Sequence, residues 1–149
     1  MPSAVSHDRL MRLAIELGQR NAHAPFGAIL VDDRTGIVIA EGLNHIDDAP
    51  IWHGEMEVIA KAAVNRPEWK HLTLYTTAEP CPMFQTAILW AGIARVIYGT
   101  SIPTLQRLGW NQIDIRAQQV IDRSRFAVCE IVPGVLEAEC DMLFTKTRD

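Results

Sequence analysis

Residues 79–93 read EPCPMFQTAILWAGI, and the interpretation of the whole chain depends on this stretch. Pro82 followed by an apolar run that ends in glycine predicts an α-helix, because proline suits a first helical turn and glycine follows a last one. Pro80 and Cys81 begin the pattern P-C-x-x-C, in which two thiolates at a helix start share one face. Phe84 stands where the second cysteine belongs. The stretch is therefore either a metal site that lacks one ligand or an ordinary helix start with a buried cysteine.

Length and charge limit the classes of protein to consider. With 149 residues, the chain is expected to form one domain over residues 1–149. Lys and Arg total 14 against 18 Asp and Glu, and no basic run exceeds isolated pairs, which disfavours a nucleic-acid partner. The apolar runs are far shorter than the ~20 residues of a membrane-spanning helix, and the charged N-terminus is unlike a signal peptide. Three widely spaced cysteines do not form a disulfide framework, so we predict a cytoplasmic protein.

Helices and strands alternate along the chain. Two β-rich runs separated by Asp-Asp-Arg-Thr-Gly predict an antiparallel hairpin, and the later strands, which alternate with helices, should run parallel. This order predicts an α/β fold, a three-layer α/β/α sandwich with one mixed five-stranded sheet. The predicted strands are residues 26–32, 36–42, 71–77, 94–100 and 126–132, and the predicted helices follow Ser6 and cover residues 54–65, 82–92, 102–110, 117–124 and 136–147.

The segment WHGEME, residues 52–57, carries a second group of polar side chains. His53 and Glu55 lie at the start of one predicted helix, and Cys81 lies at the start of the next. Helices that flank neighbouring strands can bring their N-termini together, where the partial positive charge favours thiolate and hydroxide. A His and cysteinates around Zn²⁺ with one open position form the usual catalytic zinc site, and a nearby carboxylate can carry protons. Taken alone, each motif also has a structural explanation as a surface helix residue or a capped helix start.

The two motifs occur together and in the order of a known signature. H-x-E followed by P-C-x-x-C is the signature of zinc-dependent nucleobase deaminases. The segment PFGAILVDDRTGIVIAEGLN is similar to the opening hairpin of that family, and EPCPM with AILWAGIARVIYGTS is similar to its next helix and strand. Over roughly residues 10–102 the chain resembles the cytidine deaminase-like superfamily. The resemblance is strongest to the guanine and cytosine deaminases and the related tRNA adenosine deaminases.

The resemblance implies a role for each residue of the metal site. His53 and Cys81 would be zinc ligands, zinc the cofactor, and Glu55 the proton shuttle. Phe84 occupies the position of the third ligand. Because a phenyl ring has no lone pair to donate, zinc affinity should fall by orders of magnitude. Three explanations stay open: an inactive descendant that only binds, a site rescued by another ligand, and a sequence change in an otherwise active deaminase.

Two other histidines are poor candidates to replace the missing ligand. His45 lies in a predicted loop and His71 at the far end of a predicted strand, so both are expected to face solvent.

The resemblance also implies which residues bind the substrate. Asn44 would hydrogen-bond the base, Phe26 would lie along the pocket, and Glu79 occupies a position where the family commonly has a glutamate. Guanine deaminases carry an acidic pair downstream of the fourth strand, whereas residues 109–112 here read GWNQ. Amides donate as well as accept hydrogen bonds, so guanine is disfavoured, and cytosine, a related base or a triazine-type ring stays open.

The leading hypothesis is a zinc-dependent hydrolytic deaminase of a free nucleobase or similar amino-heterocycle. Zinc-bound hydroxide would attack the ring carbon that bears the amine, and Glu55 would move the proton as ammonia leaves. The alternatives are a catalytically silent binding or regulatory protein and an RNA-editing adenosine deaminase. A homodimer is also expected, since free-base members of the family are typically dimers. The C-terminal helix offers apolar side chains that could dock on a neighbour, namely Leu136, Cys140, Leu143 and Phe144.

Overall fold

The computed structural model describes residues 4–44, 50–126 and 129–145, which form five strands and six α-helices. The strands are β1 (Gly27–Asp32), β2 (Ile37–Leu43), β3 (Leu72–Ala78), β4 (Arg95–Thr100) and β5 (Glu130–Val132). The helices are α1 (Ala4–Gly18), α2 (Gly54–Ala63), α3 (Pro82–Ala91), α4 (Ile102–Arg107), α5 (Ala117–Asp122) and α6 (Glu137–Thr145), with a 3₁₀ turn at Trp69–His71. None of the helices in these residues combines the length and the apolar character that crossing a membrane requires.

The strands form one mixed sheet in the order β2-β1-β3-β4-β5. β1 pairs antiparallel with β2 and β3, whereas β4 runs parallel to both β3 and β5. The predicted hairpin and the parallel strands that follow it are therefore confirmed. The last strand begins only at Glu130, four residues later than predicted, and residues 127–128 of the predicted strand lie outside the described part.

Each face of the sheet is covered by helices, which confirms the three-layer sandwich. Side chains alternate along β1, because successive residues of a strand point to opposite faces. One core lies under α1 and α6 and includes Leu10, Met11, Ile29, Val31, Tyr75, Ile97 and Cys140. The other lies under α2 and α3 and includes Ala28, Leu30, Val58, Leu74, Ile88 and Val96.

Helix α6 packs on its own chain, and the prediction that its apolar face docks on a neighbour is wrong. Cys140 and Phe144 are fully buried, and Leu136 and Leu143 pack against the same cores. Arg12 of α1 also holds the helix through an ion pair with Glu139. Most of the apolar surface of α6 is thus used within the subunit, with Met142 left 55% exposed, so Cys140 and Phe144 give no support for a dimer.

At one edge of the sheet, the end of β2, the start of β1 and the end of β3 lie beside the starts of α2 and α3. Leu43 at the end of β2 lies beside Gly27 at the start of β1, and the same end of β1 lies beside the last residues of β3. Helix α3 begins four residues after β3 ends. The N-termini of α2 and α3 therefore meet at this edge, as the sequence predicted.

Candidate active site

Two glycines hold the first turn of α2 directly against the hairpin. A Cβ atom on Gly42 would collide with the carbonyl oxygen of Gly54 and would lie 2.8 Å from the backbone nitrogen of Val58. A Cβ atom on Gly54 would collide with the carbonyl oxygen of Phe26. Side chains at these positions would push the helix away from the sheet. Because of this close contact, His53 and Glu55, which flank Gly54, are held at the edge of the sheet.

His53 is the residue immediately before α2, and it is half-buried. Burial lowers the pKa of its imidazole below the ordinary value, and a hydrogen bond to the Pro50 backbone opposes this effect only in part. The ring is therefore neutral near pH 7, and the nitrogen that does not bond Pro50 keeps a lone pair. The ring meets Phe84 edge-on, with centroids 4.7 Å apart.

Glu55 lies in the first turn of α2 and is only 2% exposed. Its Oε1 atom has no hydrogen-bond partner in the part of the chain that the structure describes. Burial raises the pKa of the carboxyl to about 8. A buried polar atom without a partner is costly and uncommon in folded proteins, and such groups concentrate at functional sites.

Cys81 is the residue immediately before α3. Burial raises the pKa of its thiol to about 11, the backbone N–H groups of Phe84 and Met83 lower it, and the nearby Glu55 raises it further. The helix start thus favours the thiolate as the sequence predicted, but burial outweighs that effect. Because Glu55 acts on this thiol, the H-x-E and Pro-Cys motifs face the same small region.

The donor set does not fit a catalytic zinc ion, which ordinarily has three protein ligands. Within residues 4–44, 50–126 and 129–145, no three His, Cys, Asp or Glu side chains are grouped to hold a metal ion. Phe84 is 2% exposed, and its ring contacts the ligand candidate His53. His71 lies in the 3₁₀ turn at the opposite end of the sheet, 3.7 Å from Glu68, and His45 lies outside the described residues.

Two of the predicted substrate-binding residues reach this edge of the sheet. Asn44 directly follows β2 and is 3% exposed, and its backbone carbonyl accepts a hydrogen bond of 3.1 Å from Asn21. Phe26 directly precedes β1, and its ring packs on Trp110 and Phe144 with centroid distances of 5.5 and 4.9 Å. Their contact with a substrate stays a prediction.

Glu79, the third of these residues, ties three elements together. Its carboxylate accepts hydrogen bonds of 2.9 Å from the backbone N–H groups of Ile102 and Ala117, and Arg116 Nε lies 3.0 Å from both oxygens. The side chain thereby joins the end of β3 to the starts of α4 and α5. Substrate binding by Glu79 stays a prediction. It would require the carboxylate to give up one of these hydrogen bonds and form one with the substrate.

Arg116 was not identified from the sequence. Its guanidinium pairs with Glu79 and also donates a 3.2 Å hydrogen bond to the Tyr98 hydroxyl. The two partners of the ion pair are 37 residues apart, and no periodicity links them. Only the unsatisfied charge of a buried glutamate could have indicated that a cation lay nearby.

Glu79→Ala should lower the free energy of unfolding by at least about 2 kcal/mol, because two buried backbone N–H groups lose their acceptor. Urea denaturation of both forms measures the difference. Glu16→Ala, which removes an exposed carboxylate from α1, is the matched control and should stay within about 0.5 kcal/mol of the unaltered chain. Equal stability of Glu79→Ala and the control would contradict the structural role.

The fold and this edge define a class of protein. His-x-Glu and Pro-Cys at two adjoining helix starts match the signature of the zinc-dependent nucleobase deaminases except for its second cysteine. The sequence model described as the cytidine and deoxycytidylate deaminase zinc-binding region matches residues 4–100. The chain belongs to this family.

Relatives of the chain have several different substrates in their names. A probable cytosine deaminase of Schizosaccharomyces pombe is 34% identical over 66% of this chain and 62% of its own length. A tRNA-specific adenosine deaminase of Haemophilus influenzae is 33% identical over 95% of this chain and 85% of its own. The solved guanine deaminase of Nitrosomonas europaea superposes with a TM-score of 0.81 over 94% of this chain and 83% of that chain. At 19% identity, that likeness shows the fold alone.

Proposed function

We propose that this chain is a hydrolytic deaminase of a small amino-heterocycle, such as a free nucleobase, with turnover limited by an incomplete metal site. The observation that carries the proposal is the buried Glu55 carboxyl, whose Oε1 has no partner among the described residues. Hydrolytic deamination transfers a proton from the attacking water to the departing amine. A carboxyl at the site with one oxygen free of protein donors among the described residues is suited to that transfer.

The metal chemistry is part of the same proposal. The family resemblance implies zinc, which when bound would supply a hydroxide nucleophile at neutral pH. His53 and Cys81 are the two donors that would hold it, and Phe84 supplies none. Two ligands bind zinc far more weakly than three, so the purified chain should carry well under one zinc ion and turn over slowly.

A second candidate is a protein that binds the heterocycle without converting it. The contact between Phe84 and His53 favours this candidate, because a buried phenyl ring lies against a residue expected to be a ligand. Ammonia release from a panel of amino-heterocycles, with the zinc content of the same preparation, separates the two functions. Release of ammonia that rises with added zinc supports the deaminase, and saturable binding with no ammonia supports the binding protein.

The loop before α5 bears on the choice of substrate. Asn111 and Gln112 stand where guanine deaminases carry acids, and an amide recognises a different base edge from a carboxylate. We therefore propose cytosine, a related base or a triazine-type ring ahead of guanine. The net charge of −4 disfavours tRNA, and retention of tRNA that weakens with salt would reverse that preference.

A homodimer in the cytoplasm completes the proposal. The aromatic rings of Trp90 and Phe126 are 73% and 42% exposed and meet edge to face, and they offer apolar area that an interface would cover. Light scattering at micromolar concentration should give twice the 16.7 kDa of one chain, and a monomer would contradict the dimer.

Cys81, Cys129 and Cys140 are all free thiols, which supports a reducing compartment.

A further inference from the structure

The side chain of Asn21 closes the turn between α1 and β1. Asn21 lies just after the end of α1 and is half-buried. Its Oδ1 atom accepts hydrogen bonds of 3.2 Å from the backbone N–H groups of His23 and Ala24. The Ala24 carbonyl in turn accepts a hydrogen bond of 2.8 Å from the Phe26 N–H. The amide oxygen of Asn21 therefore shapes the turn that leads to Phe26, which is predicted to lie along the substrate pocket.

The amide nitrogen of the same side chain reaches the end of β2. Asn21 Nδ2 donates a hydrogen bond of 3.1 Å to the backbone carbonyl of Asn44, which is 23 residues away in the sequence. The orientation of the amide follows from these partners, because only its oxygen can accept from N–H groups and only its nitrogen can donate to a carbonyl. One side chain thus connects the two segments that carry Phe26 and Asn44.

The end of β2 is also held from its other side. The Leu43 N–H donates a hydrogen bond of 3.2 Å to Glu57 Oε1 in the first turn of α2. The backbone of residues 43 and 44 is therefore fixed by two different elements, α2 and the turn after α1. Asn44 itself is only 3% exposed. A binding side chain works only when its own backbone is held within a fraction of an ångström, and supporting hydrogen bonds of this kind provide that precision.

We propose that Asn21 is a positioning residue for the heterocycle. Through the Asn44 carbonyl, it holds the Asn44 side chain where that side chain hydrogen-bonds the ring. The inference rests on the proposed function, in its catalytic or its binding-only form, because both require Asn44 to contact the heterocycle. Since Asn44 holds the ring and Glu55 moves the proton, loss of Asn21 should raise Kd and KM and leave kcat nearly unchanged.

Asn21→Asp is the sharpest substitution, because it keeps the size of the side chain and the oxygen that closes the turn. It replaces the amide donor by a second oxygen, which faces the Asn44 carbonyl. Calorimetric titration uses cytosine, guanine and the triazine melamine as probes, and the probe that the unaltered chain binds most tightly is kept for the variants. Asn21→Asp should weaken its binding about tenfold, the effect of one lost hydrogen bond and two opposed oxygens.

Two further variants separate the lost donor from the added charge. Asn65→Asp makes the same chemical change at an exposed position after α2 and should leave the affinity unchanged. Asn21→Ser adds no charge, keeps a short acceptor for the turn and cannot reach Asn44, so it should also weaken binding. Circular dichroism checks the fold of each variant. Unchanged affinity in a folded Asn21→Asp or Asn21→Ser protein would overturn the inference.

A double-mutant cycle tests whether Asn21 acts through Asn44. Asn44→Ala removes the side chain and keeps the backbone carbonyl that Asn21 bonds. In that protein, Asn21→Asp should cause no further loss of affinity, because the two residues act as one unit. An equal loss with and without the Asn44 side chain would overturn the inference, and so would a variant that is less stable but binds as tightly.

The same titrations distinguish failure of this inference from failure of the proposed function. If the unaltered chain binds none of the three probes, the proposed function is contradicted and the role of Asn21 falls with it. If the unaltered chain binds a probe and the Asn21 variants bind it equally well, only the role of Asn21 is contradicted.

Discussion

Phe84→Cys is expected to raise the zinc content from well under one ion to about one ion per chain. Positions 81 and 84 are three residues apart at the start of α3, so the new thiol lies on the same helix face as Cys81. Because the Phe84 ring already touches His53, a thiolate at this position would face that imidazole. The three donors would match the ligand number of a catalytic zinc site with one open position. Mass spectrometry of metal content, before and after a chelator, measures the change.

Phe84→Ser is the matched control, since its side chain has the size of cysteine and lacks the thiolate. Both substitutions remove a buried phenyl ring and should therefore lose stability to a similar extent. Only the cysteine form should gain zinc and increase its release of ammonia from an amino-heterocycle. A full complement of chelator-resistant zinc in the unaltered chain would mean that another residue replaces the missing ligand, and the account of Phe84 would then be wrong.

Glu55→Gln should reduce deamination about 10²–10⁴-fold, the usual loss when a general acid–base group is removed. Glutamine keeps the shape of the side chain but cannot carry the proton between water and the departing amine. The effect should appear in kcat, with little change in KM, because the proton moves only during the chemical step. The steady-state rates should be compared in the Phe84→Cys protein, because its higher expected activity makes a large loss measurable.

Glu57→Gln is the control for that experiment. Glu57 lies in the same first turn of α2, where its carboxylate accepts from the Leu43 backbone and from Lys61, and an amide oxygen can still accept. Its rate should stay within a few-fold of the parent protein. Turnover by Glu55→Gln at the parent rate would show that Glu55 does not carry the proton and that the roles implied by the family do not apply here.

The antiparallel hairpin and the parallel direction of the later strands followed from local signals in the sequence, whereas the order of the strands in the sheet was not predicted. The turn after β1 and the proline and glycine that bound α3 are decided within a few residues, so they were predicted. The packing partner of α6 was predicted wrongly, because its apolar residues fit a neighbouring subunit as well as their own core. Only the packing of Cys140 and Phe144 inside the chain decides between the two.

The same distinction holds at the candidate site. The meeting of His53, Glu55 and Cys81 was predicted because each lies at a helix start, which is a local signal, and their roles in a reaction stay predictions. The ion pair between Glu79 and Arg116 forms because the chain before α5 folds back to the end of β3. No pattern within a few residues of either partner predicts that contact. The raised pKa of Cys81 was missed for a similar reason, since burial is a property of the whole fold.

The segment from Gly109 to Ile115 is attached at both ends and exposed between them. At its start the Trp110 indole donates to the Phe144 carbonyl, and at its end Glu79 holds Arg116. Asn111, Ile113 and Asp114 face solvent between these anchors. Since Trp110 also touches Phe26, whose carbonyl contacts the start of α2, the segment borders the site. We therefore expect that a different loop grafted between the two anchors would leave the sheet and both helix starts intact.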